Sequence, residues 1–512
     1  MANLESETVS HFHTIYMYRM QTHLHRLANI LSLKRRNDEV KDEVIEELEQ
    51  LAKCVKKGDV EKMKDEFENV IQRTFSRFHG DLDVLTSCCR AVRNACARSS
   101  LLRNVCADMK LPCRLIRMIR HAIEESGKEL ALLVAIQTLG NCITKKSRSL
   151  IWKEMFRPDK ENKILFCRLC CDVKWNNTKA LTRLSMILYL LIRRDDENSH
   201  SMMKTFVQDR KLVHTWLHTF RSDTDKTNVD MVEWVLLVVH DMISKESIVS
   251  EMILGRTNDE LALFLNLLVV ATTTTTTTTT SEESTCLLLN PCDAQSIAEL
   301  LITLLKRLKE EKEEDCALYS AASAAMEICA DLSSKMRSTF QSPDLVAVRI
   351  RETLLGANAV SILVKDILEP FSPGRRKARL TTHSITKIHP GIRDQLLNNA
   401  MRLLANCSFQ NENWQNRVRE ANGIESVLSC TTINEKNPIL REWALLAVRN
   451  LCDGNRSNQR RIEKLKPRKV LQDPTLKRAG YQIRFDEATG KPKIEMESDA
   501  VVESTSGSSV GM

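Results

Sequence analysis

The sequence predicts an all-α chain, folded as a solenoid of stacked helical repeats. Three observations carry that expectation. The first is a scarcity of turn formers: 14 glycines and 11 prolines in 512 residues, roughly half of average usage. That composition disfavours a β-sandwich, a barrel or a Rossmann sheet. The second is helical periodicity. Val44, Leu48, Leu51 and Val55 fall on one helix face, and beyond Gly58 the stripe resumes at Val60, Met63, Phe67 and Val70. The third is internal repetition. Ala447-Val-Arg-Asn-Leu-Cys452 closely repeats Ala91-Val-Arg-Asn-Ala-Cys96, and Leu404-Ala-Asn-Cys407 closely repeats Leu139-Gly-Asn-Cys142. Asn406 to Asn450, Asn411 to Asn455, Gln415 to Gln459 and Val418 to Ile462 are each 44 residues, and Asn94 to Asn141 is 47. Helical units of about 40–47 residues are of armadillo or HEAT length. No such unit buries its apolar face alone, so neighbours stack into one continuous core.

Taken in order, residues 1–80 read as an N-terminal helical hairpin or cap, with a short coiled coil as the alternative. Residues 81–270 read as armadillo-like repeats. Leu181–Ile192 and Met231–Ile243 keep the helical spacing there but lack the asparagine. Residues 271–290 hold the tract Thr272–Thr280 followed by Ser281-Glu-Glu-Ser284, read as an exposed flexible insertion. Residues 291–369 read as further helical repeats. Residues 370–391 read as a basic loop with Pro370, Pro373, Gly374 and the cluster Arg375-Arg-Lys-Ala-Arg379. Residues 392–497 form the most regular block. In it Gly423-Ile424 opens a helix, and Asn437-Pro438 breaks the chain before a long helix over Ile439–Leu451, with Pro in its first turn. These details favour armadillo over HEAT. Beyond Pro467, Tyr481, Ile483 and Phe485 alternate with polar residues, Thr489-Gly490 signals a turn, and Ile494 and Met496 alternate again. That pattern predicts a short β-hairpin. Residues 498–512 read as a disordered tail.

Charge and cysteine usage bound the function. Lys+Arg number 75 and Asp+Glu 67, a net charge of +8. Both signs are mixed along the chain rather than gathered in a basic stripe, so nucleic-acid binding is not expected. The 17 cysteines are an odd number, several of them in apolar helical stretches, such as Cys88, Cys89, Cys96 and Cys106. The polar segment Met1 to His13 does not read as a signal peptide, so reduced thiols in a cytoplasmic protein are expected. Leu261 to Thr280 carries no charge, but only Leu261–Ala271 is apolar, Asn266 interrupts it and the rest is threonine. That suits a core helix and not a membrane span.

A search for chemistry finds little. There is no Gly-x-Gly, no Gly-Lys-Ser/Thr and no His-Glu-x-x-His. His214 and His218 lie one turn apart, but Thr215 occupies the slot of a catalytic carboxylate. Cys167-Arg-Leu-Cys170-Cys171 lacks a second pair. His11, His13, His23 and His25 are spaced by two, which places neighbours on different helix faces. No catalytic residue, cofactor or metal ligand is expected. The candidate partner-binding residues are the repeated Asn94, Asn141, Asn406 and Asn450, with Trp443 and Arg449. A carboxamide both donates and accepts, so it matches a peptide amide of a bound partner. The competing reading has each asparagine bonding loop backbone of a neighbouring repeat. The residues four before them are Arg90, Gln137, Arg402 and Leu446. They form no tryptophan ladder, which favours the second reading.

The ordered set Arg402-Leu-Leu-Ala-Asn-Cys407, Asn411 to Gln415, Asn422-Gly-Ile424, Asn437-Pro438, Glu442-Trp443 and Val448-Arg-Asn-Leu451 resembles the C-terminal domain of the ataxin-10 family. Val92-Arg-Asn-Ala-Cys96, Leu139-Gly-Asn141 and Ile151-Trp152 resemble the N-terminal half of that family more loosely. Trp414 departs from the pattern, which has Asn before Gln. The resemblance implies a non-enzymatic armadillo-like scaffold linked to neuron survival, neurite outgrowth, cytokinesis and ciliary organisation. It implies protein partners, among them an O-GlcNAc transferase and a G-protein β subunit. The alternative is an armadillo-type nuclear-transport or signalling adaptor for extended peptides. The missing tryptophan ladder and missing N-terminal basic arm speak against it. Homo-oligomerisation stays open.

Overall fold

A computed structural model describes residues 2–56, 60–158, 163–171, 178–193, 197–221, 229–243, 248–274, 289, 291–310, 315–334, 345–371, 389–432, 436–465, 474–485 and 492–496. Most of the poly-threonine tract, the basic cluster of 375–379 and the tail lie outside these residues. The described residues form an all-α, armadillo-like solenoid with one short β-hairpin.

Its first triplet is Ala2–Ser32, Asn37–Val55 and Lys64–Arg77. The stripe Val44, Leu48, Leu51 and Val55 is the buried face of the second helix, and Phe67 and Val70 are buried on the third. Where the stripes alone marked a hairpin, the preceding helix adds Met20, Leu24 and Leu27 to the core. Arg77 ties the three together. Its Nη1 donates to the carbonyls of Ile30, Leu31 and Leu33, and its Nη2 to that of Arg35. Carbonyls at a helix C-terminus lack partners within the helix, and a planar guanidinium with five donors can serve several of them at once.

From there, long helices pack side by side in chain order: Asn37–Val55, Leu82–Arg98, Glu129–Asn141, Thr178–Ile192, Val229–Ile243, Asn258–Thr274, Cys316–Ser334, Pro390–Ser408 and Pro438–Cys452. The remaining helices, among them the 20-residue Pro291–Glu310, connect them. In the last repeat these are Glu412–Glu420 and Gly423–Ser429. One contiguous apolar cluster runs from Met20 to Leu451. The middle repeats, which lose the asparagine, still stack by apolar faces: Leu184, Leu188 and Leu191 on one helix, Val235, Val238 and Val239 on the next. Leu261, Leu265 and Leu268 are buried core residues. Among the described residues no helix is long and apolar enough to cross a membrane. That same helix continues through Thr274, so the threonine tract begins as helix backbone before it leaves the described residues.

Local sequence explains the repeat boundaries. Lys110, Asn358 and Asn422 all adopt left-handed backbone (φ +52°, +58° and +60°), each immediately before a helix. Asparagine tolerates that conformation better than most residues. After Asn422 comes Gly423, where a Cβ would stand 2.7 Å from Val364 Cγ2, 2.8 Å from Val418 Cγ1 and 3.0 Å from the Val418 carbonyl. The Gly-Ile signature therefore marks a helix start pressed against its neighbours. Asn437 precedes Pro438 at the first position of the last long helix. Near the C-terminus, β1 (Tyr481–Phe485) pairs antiparallel with β2 (Pro492–Met496), Ile483 opposite Ile494 and Tyr481 opposite Met496.

Candidate functional site

The four repeated asparagines do one job in the structure. Asn94 Nδ2 donates to the Ala52 carbonyl (2.9 Å), Asn141 Nδ2 to Arg93 (3.1 Å), Asn406 Nδ2 to Ala330 (2.9 Å) and Asn450 Nδ2 to Ala405 (2.8 Å). Each acceptor sits on the preceding long helix. It lies one residue before that helix's own ladder position, occupied in turn by Lys53, Asn94, Asp331 and Asn406. The ladder corrects one detail of the sequence reading: the acceptors are helix carbonyls, and not loop backbone. Each carbonyl has a second lone pair: that of Ala52 also accepts from the Lys56 amide, whereas the amide that would serve Ala405, that of Phe409, bonds to Asn406. Because the long helices run alongside one another, a short carboxamide reaches helix before it reaches any loop. Asn450 is only 5 % exposed, while Asn94, Asn141 and Asn406 are half-buried.

The loops are held by a second set of amides at the same 44-residue spacing. Gln415 Nε2 donates to the carbonyls of Ser408 (3.2 Å), Asn450 (2.9 Å) and Asp453 (3.1 Å). Its repeat counterpart Gln459 donates to Cys452 (2.8 Å). Asn411 and Asn455 cap the helices that follow, accepting from the amides of Trp414 and Asn458. Arg351, 4 % exposed, closes the junction from the other side. Its Nη2 donates to the carbonyls of Ser333 (2.9 Å) and Asn406 (2.8 Å), and its Nη1 to Phe409 (3.4 Å). Burial lowers its pKa, while the carbonyl ends of two helices supply the negative potential that keeps it charged.

Beside the ladder lies a face of charged and aromatic side chains. In the C-terminal part, Arg402 pairs with Asp331 and lies 5.3 Å from the Trp443 ring centroid. Trp443 is half-buried and Arg449 exposed on the last long helix. In the N-terminal part, Arg93 and Arg183 line a cavity of about 240 Å³ with Gln137 and Asn141. Arg90 beside them pairs with Glu49 at 2.9 Å. Single-sequence reading missed Arg93, Gln137 and Arg183 as a group, since only the stacking of three helices brings them together.

Two of the histidines singled out in the sequence contact carboxylates on other helices. His214 Nδ1 meets Glu260 Oε1 at 2.8 Å, and His23 meets Glu47 at 2.6 Å, a carboxylate that also accepts from Arg26. Cys167 is buried while Cys171 is exposed. One cluster was invisible in the sequence: Cys96, Cys106 and Cys142 bring their sulfurs within 4.8 Å of one another. Cys96 Sγ is 3.5 Å from Cys106 Sγ and 3.7 Å from Cys142 Sγ. All three are buried, at 0 %, 2 % and 0 % exposure. The trio is packed core: Cys96 and Cys142 occupy equivalent repeat positions, and Cys106 fills the space between.

Residues 397–495 match the spinocerebellar ataxia type 10 protein domain. Ataxin-10 of Pongo abelii is 24% identical over 411 residues, covering 78% of this chain and 80% of that protein. Ataxin-10 of Xenopus tropicalis is 25% identical over 421 residues, with 79% of each chain covered. Among solved structures, an engineered protein aligns over 86% of this chain and 91% of its own, with 13% identity and a TM-score of 0.36. The matched domain spans the two most regular repeats, with the Asn406 and Asn450 rungs, the Gln415 loop clamp and the hairpin, and it is over these residues that the chain matches the ataxin-10 domain.

Proposed function

We propose that this chain is a non-enzymatic, cytoplasmic scaffold that binds other proteins along the face of its long helices. The similarity to ataxin-10 supports a protein-interaction scaffold. One observation carries the reading further. The ladder asparagines spend an amide donor on the solenoid itself, while the side chains next to them stay accessible: Arg93, Gln137 and Arg183 at one end, Trp443 and Arg449 at the other. In this reading Asn94, Asn141, Asn406 and Asn450 set the register of the repeats, and their charged and aromatic neighbours meet the partner.

By the family resemblance, the processes served are neuron survival, neurite outgrowth, cytokinesis or ciliary organisation. The first partners to test are an O-GlcNAc transferase and a G-protein β subunit. The adaptor reading is weaker. An extended peptide read by asparagine amides needs those amides free, and the positions one turn earlier are Arg90, Gln137, Arg402 and Leu446 instead of tryptophans.

Proximity labelling in living cells with the intact chain tests the scaffold reading, with Trp443→Ala/Arg449→Glu as a comparison. A defined set of labelled proteins, depleted by the double variant, supports it. Labelling no different from that of an inert cytoplasmic protein would overturn it.

A further inference from the structure

We propose that the cavity between Arg93 and Arg183 is a binding site for an anionic side chain of a partner protein. The inference rests on the scaffold reading and gives it a chemical class of partner.

Three helices build the site. Arg93 comes from Leu82–Arg98, Gln137 and Asn141 from Glu129–Asn141, and Arg183 from Thr178–Ile192. All four side chains are half-buried. Gly140 lies at this junction: a Cβ there would overlap the terminal methyl of Met186 and stand 3.5 Å from Ile187 Cγ1. The two helices therefore meet at a residue without a side chain, and Arg183 is carried up to Gln137 and Asn141.

The charges at this site do not balance. Arg90 is neutralised by Glu49. Arg93 has no carboxylate: its Nη1 donates to Gln137 Oε1 (2.8 Å), and its Nη2 and Nε approach Asn94 Oδ1 (3.3 and 3.4 Å). Among the described residues the hydrogen bond of Arg183 goes to Met186 Sδ, at 3.8 Å. Among the described residues neither arginine makes an ion pair. Burial, together with the like charges of Arg90 and Arg183, lowers the pKa of Arg93. Guanidinium groups held partly out of water with no counter-ion are costly, and a chain optimised for stability alone would place a carboxylate between them.

The donors converge. Gln137 Oε1 is taken by Arg93, which leaves its Nε2 amide hydrogens directed at no protein acceptor among the described residues. Asn141 uses Nδ2 on the Arg93 carbonyl. The cavity thus offers two guanidinium groups and a carboxamide donor to one oxyanion. Charge-assisted, fork-like hydrogen bonds of this kind recognise carboxylate and phosphate alike. Glutamate, aspartate and phosphorylated serine side chains are therefore the sources to distinguish.

The test uses the intact chain and three fluorescein-labelled decapeptides. One alternates serine and glutamate, one alternates serine and glutamine, and one is the glutamine peptide with its serines phosphorylated. Fluorescence anisotropy at low salt is expected to show binding of the glutamate peptide, the phosphopeptide or both, and none of the neutral peptide. The binding member identifies the anion. Arg183→Gln is expected to weaken that binding about tenfold, from loss of a charge-assisted bond, with the melting temperature unchanged because Arg183 holds no other element. Arg93→Gln is expected to weaken it by a similar factor. Binding of neither anionic peptide, or binding that Arg183→Gln leaves intact, would overturn the proposal. The scaffold reading is judged separately: a protein set in cells that is lost with Trp443→Ala/Arg449→Glu yet kept with Arg183→Gln would leave a scaffold without this anion site.

Discussion

Replacing Asn450 by alanine removes one rung of the ladder at its most buried point. The side chain is 5 % exposed, and its Nδ2 lies 2.8 Å from the Ala405 carbonyl. Ala405 falls in the last turn of Pro390–Ser408, where the next amide in line, that of Phe409, bonds to Asn406 instead. Alanine at 450 would leave that carbonyl buried without its donor, a loss of about 1–3 kcal/mol. Unfolding entropy is about 2.1 cal/mol/K per residue. If all 512 residues melt as one unit, the melting temperature should fall by about 1–3 °C. If the last two repeats, about 100 residues, melt on their own, it should fall by about 5–14 °C. Circular dichroism at 222 nm reads both cases and shows which unit is cooperative. Asn450→Asp is the sharper control, since it keeps the size but sets a carboxylate oxygen against the carbonyl. It is expected to be at least as destabilising as alanine. Asn406→Ala should act in the same direction but less strongly, because Asn406 is half-buried and Arg351 also grips its backbone. Unchanged stability in Asn450→Ala and Asn450→Asp would refute a structural ladder and return these asparagines to a direct role in partner binding.

Arg351→Met should destabilise the chain by about 2–4 kcal/mol, because three carbonyls lose their donor inside the core; urea denaturation measures it, and Arg351→Lys should not restore the loss, since one ammonium cannot span the three acceptors. Gly423→Ala should cost about 1–3 kcal/mol through overlap with Val364 and Val418, read by the same denaturation. Burial pushes the thiol of Cys407 up from the ordinary 9.0 to about 11. The unfolded chain therefore loses a proton that the folded chain retains: stability is fully present below about pH 9 and declines as pH rises toward 11. Urea midpoints across that range should fall less steeply in Cys407→Ala. In the native protein at neutral pH, a maleimide should label the exposed Cys171, Cys292 and Cys316 first. The buried Cys96, Cys106 and Cys142 should react only after unfolding, with peptide mass spectrometry as the readout.

The repeat and its length are legible in the chain alone. Glycine scarcity removed the sheets, the 44-residue spacing of Asn406 and Asn450 fixed the unit, and Asn437-Pro438 and Gly423-Ile424 placed helix starts. These were legible because they are local: capping, left-handed backbone and apolar periodicity act within one or two turns. Alternation at Tyr481, Ile483, Ile494 and Met496 gave the hairpin for the same reason. Tertiary structure alone decided what the ladder touches. A spacing of 44 says that Asn450 repeats Asn406, but whether its amide meets a loop, a helix or a partner depends on how two helices lie side by side. It also decided which charges go unpaired. Arg90 and Arg93 look alike in sequence, yet stacking gives Glu49 to one, and Gln137 with the nearby charge of Arg183 to the other. Charge balance is a property of neighbours up to 90 positions apart in the chain, from Arg93 to Arg183, and no local pattern encodes it.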